Sequence, residues 1–408
     1  MGVLPYMTDG LPGIGGRIKD RAEDFRVEEI APDGPAGRGR FAWFRLTKRG
    51  LTTRHAARRI AAYMGVGVER IGLAGLKDTH AVTSQWMSLA EADVDRLARF
   101  RDREIRVSDV HWRPVPLELG RLAGNRFVVR VRGVGPERLA DAQAVLEVLC
   151  RRGVPNYFGP QRFGPRGDNA ALGTALVRGD LEEFLRVFLG RPWDGDPPRS
   201  RAAREAFDGG ALPRALRCWA GHCVDPRNAL AALLKGKRPR GAVEAVSPHV
   251  RQMHLLAYQS EVFNEILARR IGGIDRVEPG DLAEDHATGR CFVSRDLPAA
   301  ARRAAAFEIS PTGLLPGREM RLAEDEPGRI EQAVLAERGI DAKLFARRGA
   351  ARVKGARRAL RYRPGEAAAS AGRDRSGPYV EVAFTAPPGC YATVLLEELC
   401  KDRRPYTR

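Results

Sequence analysis

Short segments rich in aromatic and β-branched residues limit most strongly what this chain can fold into. Residues 23–30 (EDFRVEEI) and 40–47 (RFAWFRLT) have this composition, and a segment rich in turn-forming residues, 32–39, separates them. In residues 125–132 (NRFVVRVR) apolar side chains alternate with basic ones, which predicts a half-buried strand with a basic outer face. We therefore expect sheet structure in the first part of the chain.

Helical patterns accompany these strands. Thr52 or Thr53 is placed to cap a helix through residue 64, whose arginines lie away from the apolar positions. That basic face is either solvated or in contact with phosphate, and the sequence leaves both open. Residues 136–152 form a second helical pattern that stops at a glycine, and Pro and Gly interrupt the Ala- and Leu-rich residues 170–240 into several short helices. Later elements are predicted as helices at 255–271, 330–338 and 394–400 and a strand at 379–385.

Composition places the chain among soluble globular proteins. Its 408 residues are 43% hydrophobic and 29% charged, which fits two or three domains. No apolar run approaches the ~20 residues that a membrane helix needs, and residues 1–16 lack the layout of a signal peptide. We therefore expect a cytoplasmic protein that does not insert into a membrane.

The charge balance favours a polyanionic partner. Lys and Arg number 69 against 51 Asp and Glu, a net charge of +18, and 61 of the cations are arginines. Arginine suits bidentate phosphate contacts and base stacking, which makes nucleic acid the first partner to test. A GC-rich genome would produce the same arginine excess, so composition alone leaves that explanation open.

Common metal and nucleotide motifs do not occur. The six cysteines are scattered, and the Cys218 and Cys223 that flank His222 lack a second ligand pair at zinc spacing. The sequence contains no Walker A loop, no HExxH and no GxSxG elbow. Phosphoryl transfer, zinc hydrolysis and hydride transfer therefore lack support in the sequence.

A loop at 153–167 mixes aromatic and basic residues. Tyr157, Phe158 and Phe163 alternate there with Arg162 and Arg166. Such a mixture of stacking faces and cations suits RNA, whereas the alternative is a structural loop whose aromatic rings fill the core.

Asp78 is the most distinctive candidate for chemistry. It lies in GLKDTHAVTSQ at 75–85, after a short apolar run, where a carboxylate can act as nucleophile or base. Lys77 or an arginine from another segment would keep it ionised, although adjacent strand residues point to opposite faces. Taken by itself, one aspartate in a turn is more often an Asx turn or a cap.

Seven segments resemble those of the tRNA pseudouridine synthase D (TruD) family. They follow one order from end to end: EDFRVEEI at 23–30, AGLKDTHAVTSQW at 74–86, GNRFVVRVRG at 124–133, VPNYFGPQRFG at 154–164, YQSEVFNEIL at 258–267, PTGLLPG at 311–317 and PPGCYATVLLEEL at 387–399.

The resemblance implies roles for individual residues. Asp78 would be the catalytic aspartate, which attacks or deprotonates while the N-glycosidic bond of uridine is cleaved and the uracil rejoins the ribose through C5. Phe25, Asn125 and Tyr391 match positions that contact the target nucleotide, and Phe127 matches the aromatic residue expected on the flipped base. No cofactor is implied. Tyr391 and Cys390 depart from the family, in which Phe and Ser are usual.

The resemblance also implies an α+β fold, a mixed-sheet pseudouridine-synthase core interrupted by an inserted α/β TRUD domain. The core would comprise 1–152 and 352–408, and the insertion 153–351. The family's usual substrate is uridine at tRNA position 13, and we expect a monomer without a protein partner.

Basic residues are expected to line a tRNA cleft around Asp78. The candidates are Lys77, Arg130, Arg132, Arg162, Arg166 and the run Arg347, Arg348, Arg352, Lys354, Arg357 and Arg358. Two other functions stay open: an RNA-binding protein without catalysis on the same fold, and a glycosidic hydrolase that pairs Asp78 with a second carboxylate.

Overall fold

A computed structural model describes residues 4–32, 37–341, 344–345 and 353–402. The chain forms two compact units, each made from more than one segment. Unit 1 comprises 1–5 and 155–361, and unit 2 comprises 6–154 and 362–408. The described helices include none long and apolar enough to cross a membrane.

Strands and helices are numbered in chain order. The strands are β1 Phe25–Ile30, β2 Phe41–Arg49, β3 Ile71–Leu73, β4 Val82–Ala90, β5 Ile105–Arg113, β6 Gly124–Arg132, β7 Val154–Pro155, β8 Leu282–Asp285, β9 Cys291–Val293, β10 Ile309–Leu315, β11 Ala356–Ala359, β12 Arg361–Tyr362, β13 Gly365–Asp374 and β14 Gly377–Ala386. The helices are α1 Thr53–Met64, α2 Val94–Ala98, α3 Leu139–Arg152, α4 Asn169–Arg178, α5 Leu181–Leu189, α6 Pro198–Asp208, α7 Leu212–Cys218, α8 Val224–Leu234, α9 Pro239–Glu244, α10 Pro248–Arg269, α11 Leu297–Ala305, α12 Asp325–Glu337 and α13 Ala392–Cys400.

Unit 2 is built on a mixed eight-stranded sheet. Seven strands follow the order β13-β14-β6-β1-β4-β2-β5, and β3 pairs with β4. The β1 and β4 strands are parallel, whereas β6 runs antiparallel to β1 with Glu29 opposite Asn125 and Val27 opposite Phe127. Because side chains alternate along a strand, these four residues share one face, and Arg26 and Glu28 lie exposed on the other. The predicted α+β class is confirmed.

Helix α1 covers part of the buried sheet face. The Thr52 hydroxyl caps it by accepting a hydrogen bond from His55 N at 3.1 Å, and Gly65 ends it with a left-handed φ of +73°. Ala56 and Ile60 are buried in the core that they share with strand residues such as Phe44. The prediction of this helix is confirmed, including its cap.

Three strands of the sheet lack a strong sequence signal. β4 contains the polar run Thr83, Ser84 and Gln85, which reads as a continuation of the preceding turn, yet all three side chains are buried in the structure. β5 and the Ala- and Gly-rich β13 were likewise not predicted. Their partners in the sheet impose the extended conformation, because intrinsic β propensity is weak against tertiary context.

Unit 1 places short helices around the long helix α10. Its core combines residues of α4 to α10 and α12, and a four-stranded sheet follows the order β11-β10-β8-β9. Helix α4 approaches α10 closely at Gly173, where an added Cβ would lie 2.1 Å from the carbonyl oxygen of His254. The predicted short helices at 170–240 are confirmed, whereas α10 and α12 begin earlier than predicted.

His254 makes the stability of unit 1 depend on pH. Its ring is 2% exposed beside Phe184 and Phe188, with ring centroids 6.0 and 6.1 Å away, and its nitrogens have no hydrogen-bond partner among the described residues. Burial lowers the pKa of His254 from 6.5 to about 4. The unfolded chain therefore binds the proton first as the pH falls, so stability is lost between about pH 6.5 and 4.

We expect His254 to lower the free energy of unfolding by up to about 3 kcal/mol when the pH falls to the acid end of that window. In His254→Leu the difference in urea stability between pH 7.5 and pH 4.5 should shrink by most of that amount. His222→Leu, at an exposed position, is the control. An equal pH dependence in wild type and His254→Leu would contradict the prediction.

Candidate active site

The turn that carries Asp78, residues 75–80, is held by hydrogen bonds from neighbouring elements. The Thr53 hydroxyl, at the start of α1, accepts from the backbone N of Lys77 at 3.0 Å and donates to Gln85 Oε1 at 2.9 Å. The Gln85 amide nitrogen in turn donates to the carbonyl of Gly75 at 3.0 Å. Thr53 and Gln85 are buried, so their bonds fix the turn against α1 and β4.

Asp78 presents its carboxylate to solvent beside one lysine. The carboxylate is 41% exposed, and its Oδ2 lies 3.0 Å from Nζ of Lys19, a residue of the segment before β1. The same ammonium lies 4.3 Å from the ring centroid of Phe25. A carboxylate that is ion-paired on one side and open on the other is held in place and accessible, as a nucleophile or base requires.

Lys48 supports the same residue from inside the protein. It lies on the buried side of β2 with no exposed surface, and its Nζ donates to the main-chain carbonyl of Asp78 at 2.7 Å. Burial lowers the pKa of Lys48 to about 8, while the charge of Asp78 acts in the opposite direction and that of Lys77 adds to the lowering. The backbone of Asp78 is therefore anchored by a titratable group.

Lys77 points away from the Asp78 carboxylate and into the sheet. Its Nζ lies 2.6 Å from Glu29 Oε2 and 2.6 Å from Asn125 Oδ1, and both members of the ion pair are nearly inaccessible. This contact orients the amide of Asn125. The cation that pairs with the Asp78 side chain is Lys19, which no sequence pattern singles out. The sequence shows only that lysine is rare beside 61 arginines, and the structure brings three of the eight lysines, Lys19, Lys48 and Lys77, to this turn.

Two of the predicted aromatic residues form one cluster. The rings of Phe25 and Phe127 meet edge to face with centroids 6.3 Å apart, and Phe127 stacks on Phe384 at 5.2 Å. Phe25 is 1% and Phe127 8% exposed, so Phe127 offers only a small part of its surface to solvent. The cluster adjoins Lys19 through Phe25.

Tyr391 lies five residues after the end of a strand that borders Asn125. Ala386, the last residue of β14, is opposite Asn125 in β6. Tyr391 is half-buried and precedes α13, where its carbonyl accepts from Val394 N at 3.1 Å. The structure thus brings Asp78, Phe25, Asn125 and Phe127 together around β1 and β6 of unit 2, and Tyr391 follows in the segment that leaves the Asn125 end of β14.

Comparison with known proteins identifies the family. The family model described as tRNA pseudouridine synthase D (TruD) matches residues 1–399. The chain belongs to the TruD family. It is 41% identical to the tRNA pseudouridine synthase D of Geobacter metallireducens over 98% of both chains, and 37% identical to that of Geotalea daltonii over 98% of this chain and 100% of the other. A crystal structure assigned to TruD of Methanosarcina mazei has a TM-score of 0.85 at 28% identity, covering 98% of this chain and 97% of its own.

Two arginines of this TruD-family chain lie on the other sheet face from Phe127. Arg130 binds Glu381 at 2.8 Å, and Arg132 is 4% exposed in ion pairs with Asp24 and Asp374. The prediction of an outward-facing basic side chain is therefore wrong for Arg132, because its partners draw it into the protein. Both residues border an open hollow of about 670 Å³ that is also lined by Arg21, Arg26 and Arg49.

The aromatic loop of unit 1 is part of the core in this TruD-family structure. Tyr157, Phe158 and Phe163 are 4%, 7% and 1% exposed, so the structural alternative holds and the rings are not open stacking faces. Arg162 is half-buried with its guanidinium 5.2 Å from the Phe158 ring centroid. Arg166 is 15% exposed and pairs with Asp168 at 2.6 Å and Asp196 at 2.9 Å.

The last basic run is only partly visible. Arg347, Arg348 and Arg352 lie outside the described residues. Of the others, Lys354 is exposed and pairs with Glu319, Arg357 binds Glu331 at 2.7 Å, and Arg358 stacks over Phe158 at 4.2 Å. Among the described residues, no group of three or more His, Cys, Asp or Glu is arranged to hold a metal ion.

Proposed function

We propose that this TruD-family chain isomerises uridine to pseudouridine at position 13 of tRNA, with Asp78 as nucleophile or base on a flipped-out uridine. Family membership carries the coarser statement, a pseudouridine synthase that acts on tRNA. The single observation that supports the catalytic assignment is the Asp78 carboxylate itself: fixed in a braced turn, paired with Lys19 at 3.0 Å and 41% exposed.

The proposed reaction needs no outside reagent. The N1–C1′ bond breaks, the freed uracil turns, C5 bonds to C1′, and the proton that leaves C5 is balanced by one gained at N1. Every heavy atom of the product comes from the substrate, and one proton is lost and one gained, so the reaction requires no redox or group-transfer reagent. Lys19 would hold the Asp78 carboxylate in position through their ion pair at 3.0 Å.

The base would be held by the groups around Asp78. A base stacked in an RNA helix cannot present C1′ and C5 to one carboxylate, so extrusion must precede the chemistry. We propose that Phe127 and Tyr391 pack on the extruded uracil, that Asn125 hydrogen-bonds the nucleotide, and that Phe25 supports Phe127 from the side. Lys77 then acts through Asn125 and not as a phosphate contact, since Glu29 neutralises it.

The net charge of +18 would draw tRNA to the protein. We propose that unit 1 corresponds to the inserted TRUD domain and that Arg130, Arg162 and Arg166 assist tRNA binding, whereas burial argues against a direct phosphate contact by Arg132. The enzyme would act as a monomer in the cytoplasm.

The test is incubation of the wild-type protein with an unmodified tRNA transcript, followed by pseudouridine mapping at nucleotide resolution. We expect pseudouridine at position 13 and nowhere else, and a transcript with cytidine at that position is the matched control. Binding without pseudouridine would favour the RNA-binding alternative, and release of free uracil would favour the hydrolase. Modification at another position would overturn the site assignment alone.

A further inference from the structure

The two most exposed large apolar side chains of the described residues lie in the Asp78 turn and in a loop whose backbone is bonded to the residue before that turn. Leu119 is 78% exposed, and Leu76, two residues before Asp78, is 60% exposed. Single exposed leucines are ordinary on protein surfaces. Here, however, the backbone segments that carry both leucines are joined, because Gly120 N donates to the carbonyl of Ala74 at 2.7 Å.

The loop that carries Leu119, residues 114–123, is anchored to the sheet along its length. Ser88 Oγ accepts from Leu117 N at 2.9 Å, and Trp43 Nε1 donates to the carbonyl of Val115 at 2.9 Å. At its end, Ala123 N donates to the carbonyl of Ile30 at 3.0 Å. The Leu117 side chain is buried against Trp43, so the loop has its own apolar anchor and does not need Leu119 for packing. Leu119 is thus an exposed apolar group on a fixed support.

The surroundings indicate which partner would cover these leucines. The protein carries a net charge of +18, and Lys19 and the open Asp78 carboxylate lie at the same turn. A positive charge together with exposed leucines fits a polyanion that also offers apolar surface. RNA is such a polyanion, because the faces of its stacked bases are apolar. Extruding one base leaves a gap in the stack that costs a few kcal/mol, and apolar wedges fill such gaps in other nucleic-acid complexes.

We propose that Leu76 and Leu119 contact the bases that flank the extruded uridine and occupy the space that it leaves. This inference rests on the proposed function, because it presumes that Asp78 acts on an extruded uridine. The leucines are positioning residues: they stabilise the open stack and take no part in the bond changes at the uracil.

The experiment measures kcat/KM of Leu119→Ala, Leu76→Ala and the double variant on two tRNA transcripts. One transcript is fully paired around the target uridine, and the other carries a mismatch opposite it, which lowers the cost of extrusion. We expect a fall of about 10- to 100-fold on the paired transcript, the loss that follows when a leucine is no longer buried, and a clearly smaller fall on the mismatched one.

Controls separate this role from others. Leu119→Met retains an apolar side chain and should keep most of the activity, and Leu234→Ala removes a 41% exposed leucine of unit 1 and should be neutral. Melting temperatures should not change, because both leucines are exposed. If the variants lose the same amount of activity on both transcripts, or lose none, the inference is overturned. The proposed function still stands in that case, because the wild-type protein is active. An inactive wild type would overturn the proposed function first.

Discussion

Asp78→Asn is expected to abolish pseudouridine formation, by at least about 10⁴-fold, while tRNA affinity stays close to that of the wild type. Asparagine has nearly the same shape but cannot act as an anionic nucleophile or as a base. The turn should persist, because Thr53, Gln85 and Lys48 hold it through backbone groups of residues 75–78. The half-exposed ion pair with Lys19 contributes at most about 1 kcal/mol to stability, so folding should be preserved.

The measurement combines single-turnover modification of a tRNA transcript with a binding titration. Asp109→Asn is the matched control: this carboxylate of unit 2 is also exposed and paired with a cation, Arg45, at 2.8 Å. Asp109→Asn should remain fully active. Normal turnover by Asp78→Asn would refute the catalytic assignment. Loss of tRNA binding would indicate that Asp78 recognises tRNA and does not take part in the reaction.

Lys48→Met is expected to lower kcat by about 10- to 100-fold with little change in KM or melting temperature, the cost of a small misplacement of a reacting group. Methionine fills the volume of the lysine stem but cannot donate to the carbonyl of Asp78. Stability should change little, because the variant loses one hydrogen bond and is also relieved of a buried charge. A variant that unfolds, or one with unchanged kcat, would contradict this positioning role.

The pH dependence of the modification rate distinguishes a positioning role of Lys48 from a purely structural one. Burial lowers the pKa of Lys48 to about 8, so its positive charge is present below that pH and lost as the pH rises through it. The wild-type rate should therefore fall above about pH 8. The unfolded chain keeps its proton up to about pH 10.5, so the contribution of Lys48 to stability rises over the same window in which activity falls.

Two variants test whether Lys48 causes the alkaline decline of the rate. Lys48→Met should lack the decline that begins near pH 8, although its rate is low throughout. Lys48→Arg retains a charge at all accessible pH values and should lack the decline for that reason. Rates that fall in parallel for all three proteins would assign the alkaline decline to another group.

Local sequence patterns predict the helices and strands that have clearly separated apolar and polar faces. Helix α1 has a capping threonine, an apolar face and a terminal glycine, and β6 buries every second residue from Phe127 to Val131, so both are recognisable without tertiary information. β4 is different, because its polar Thr83 and Gln85 are buried, and Gln85 holds the turn that carries Asp78. A strand that holds functional polar groups inside a core breaks the alternation on which such predictions depend.

The same reasoning explains which residues of the candidate site could be predicted from the sequence. Asp78, Phe25, Asn125 and Phe127 lie in segments whose residues resemble those of the TruD family, and the structure gathers them in unit 2. Lys19 stands in a segment without a periodic pattern, and nothing local indicates that it meets a residue 59 positions away. The arginine excess also misled in part, since Arg132 is buried in ion pairs with Asp24 and Asp374.

By itself the sequence determined the family, because seven segments resemble the TruD family in one fixed order. That resemblance implied the α+β class and the aspartate around which the chemistry is proposed. Only the tertiary structure decided which lysine faces the Asp78 carboxylate, which one anchors its backbone and which one orients Asn125. Those assignments depend on distances between residues far apart in the chain and on burial, which set how charges pair. Burial likewise decided that the aromatic loop of unit 1 belongs to the core, and exposure singled out Leu76 and Leu119 beside Asp78.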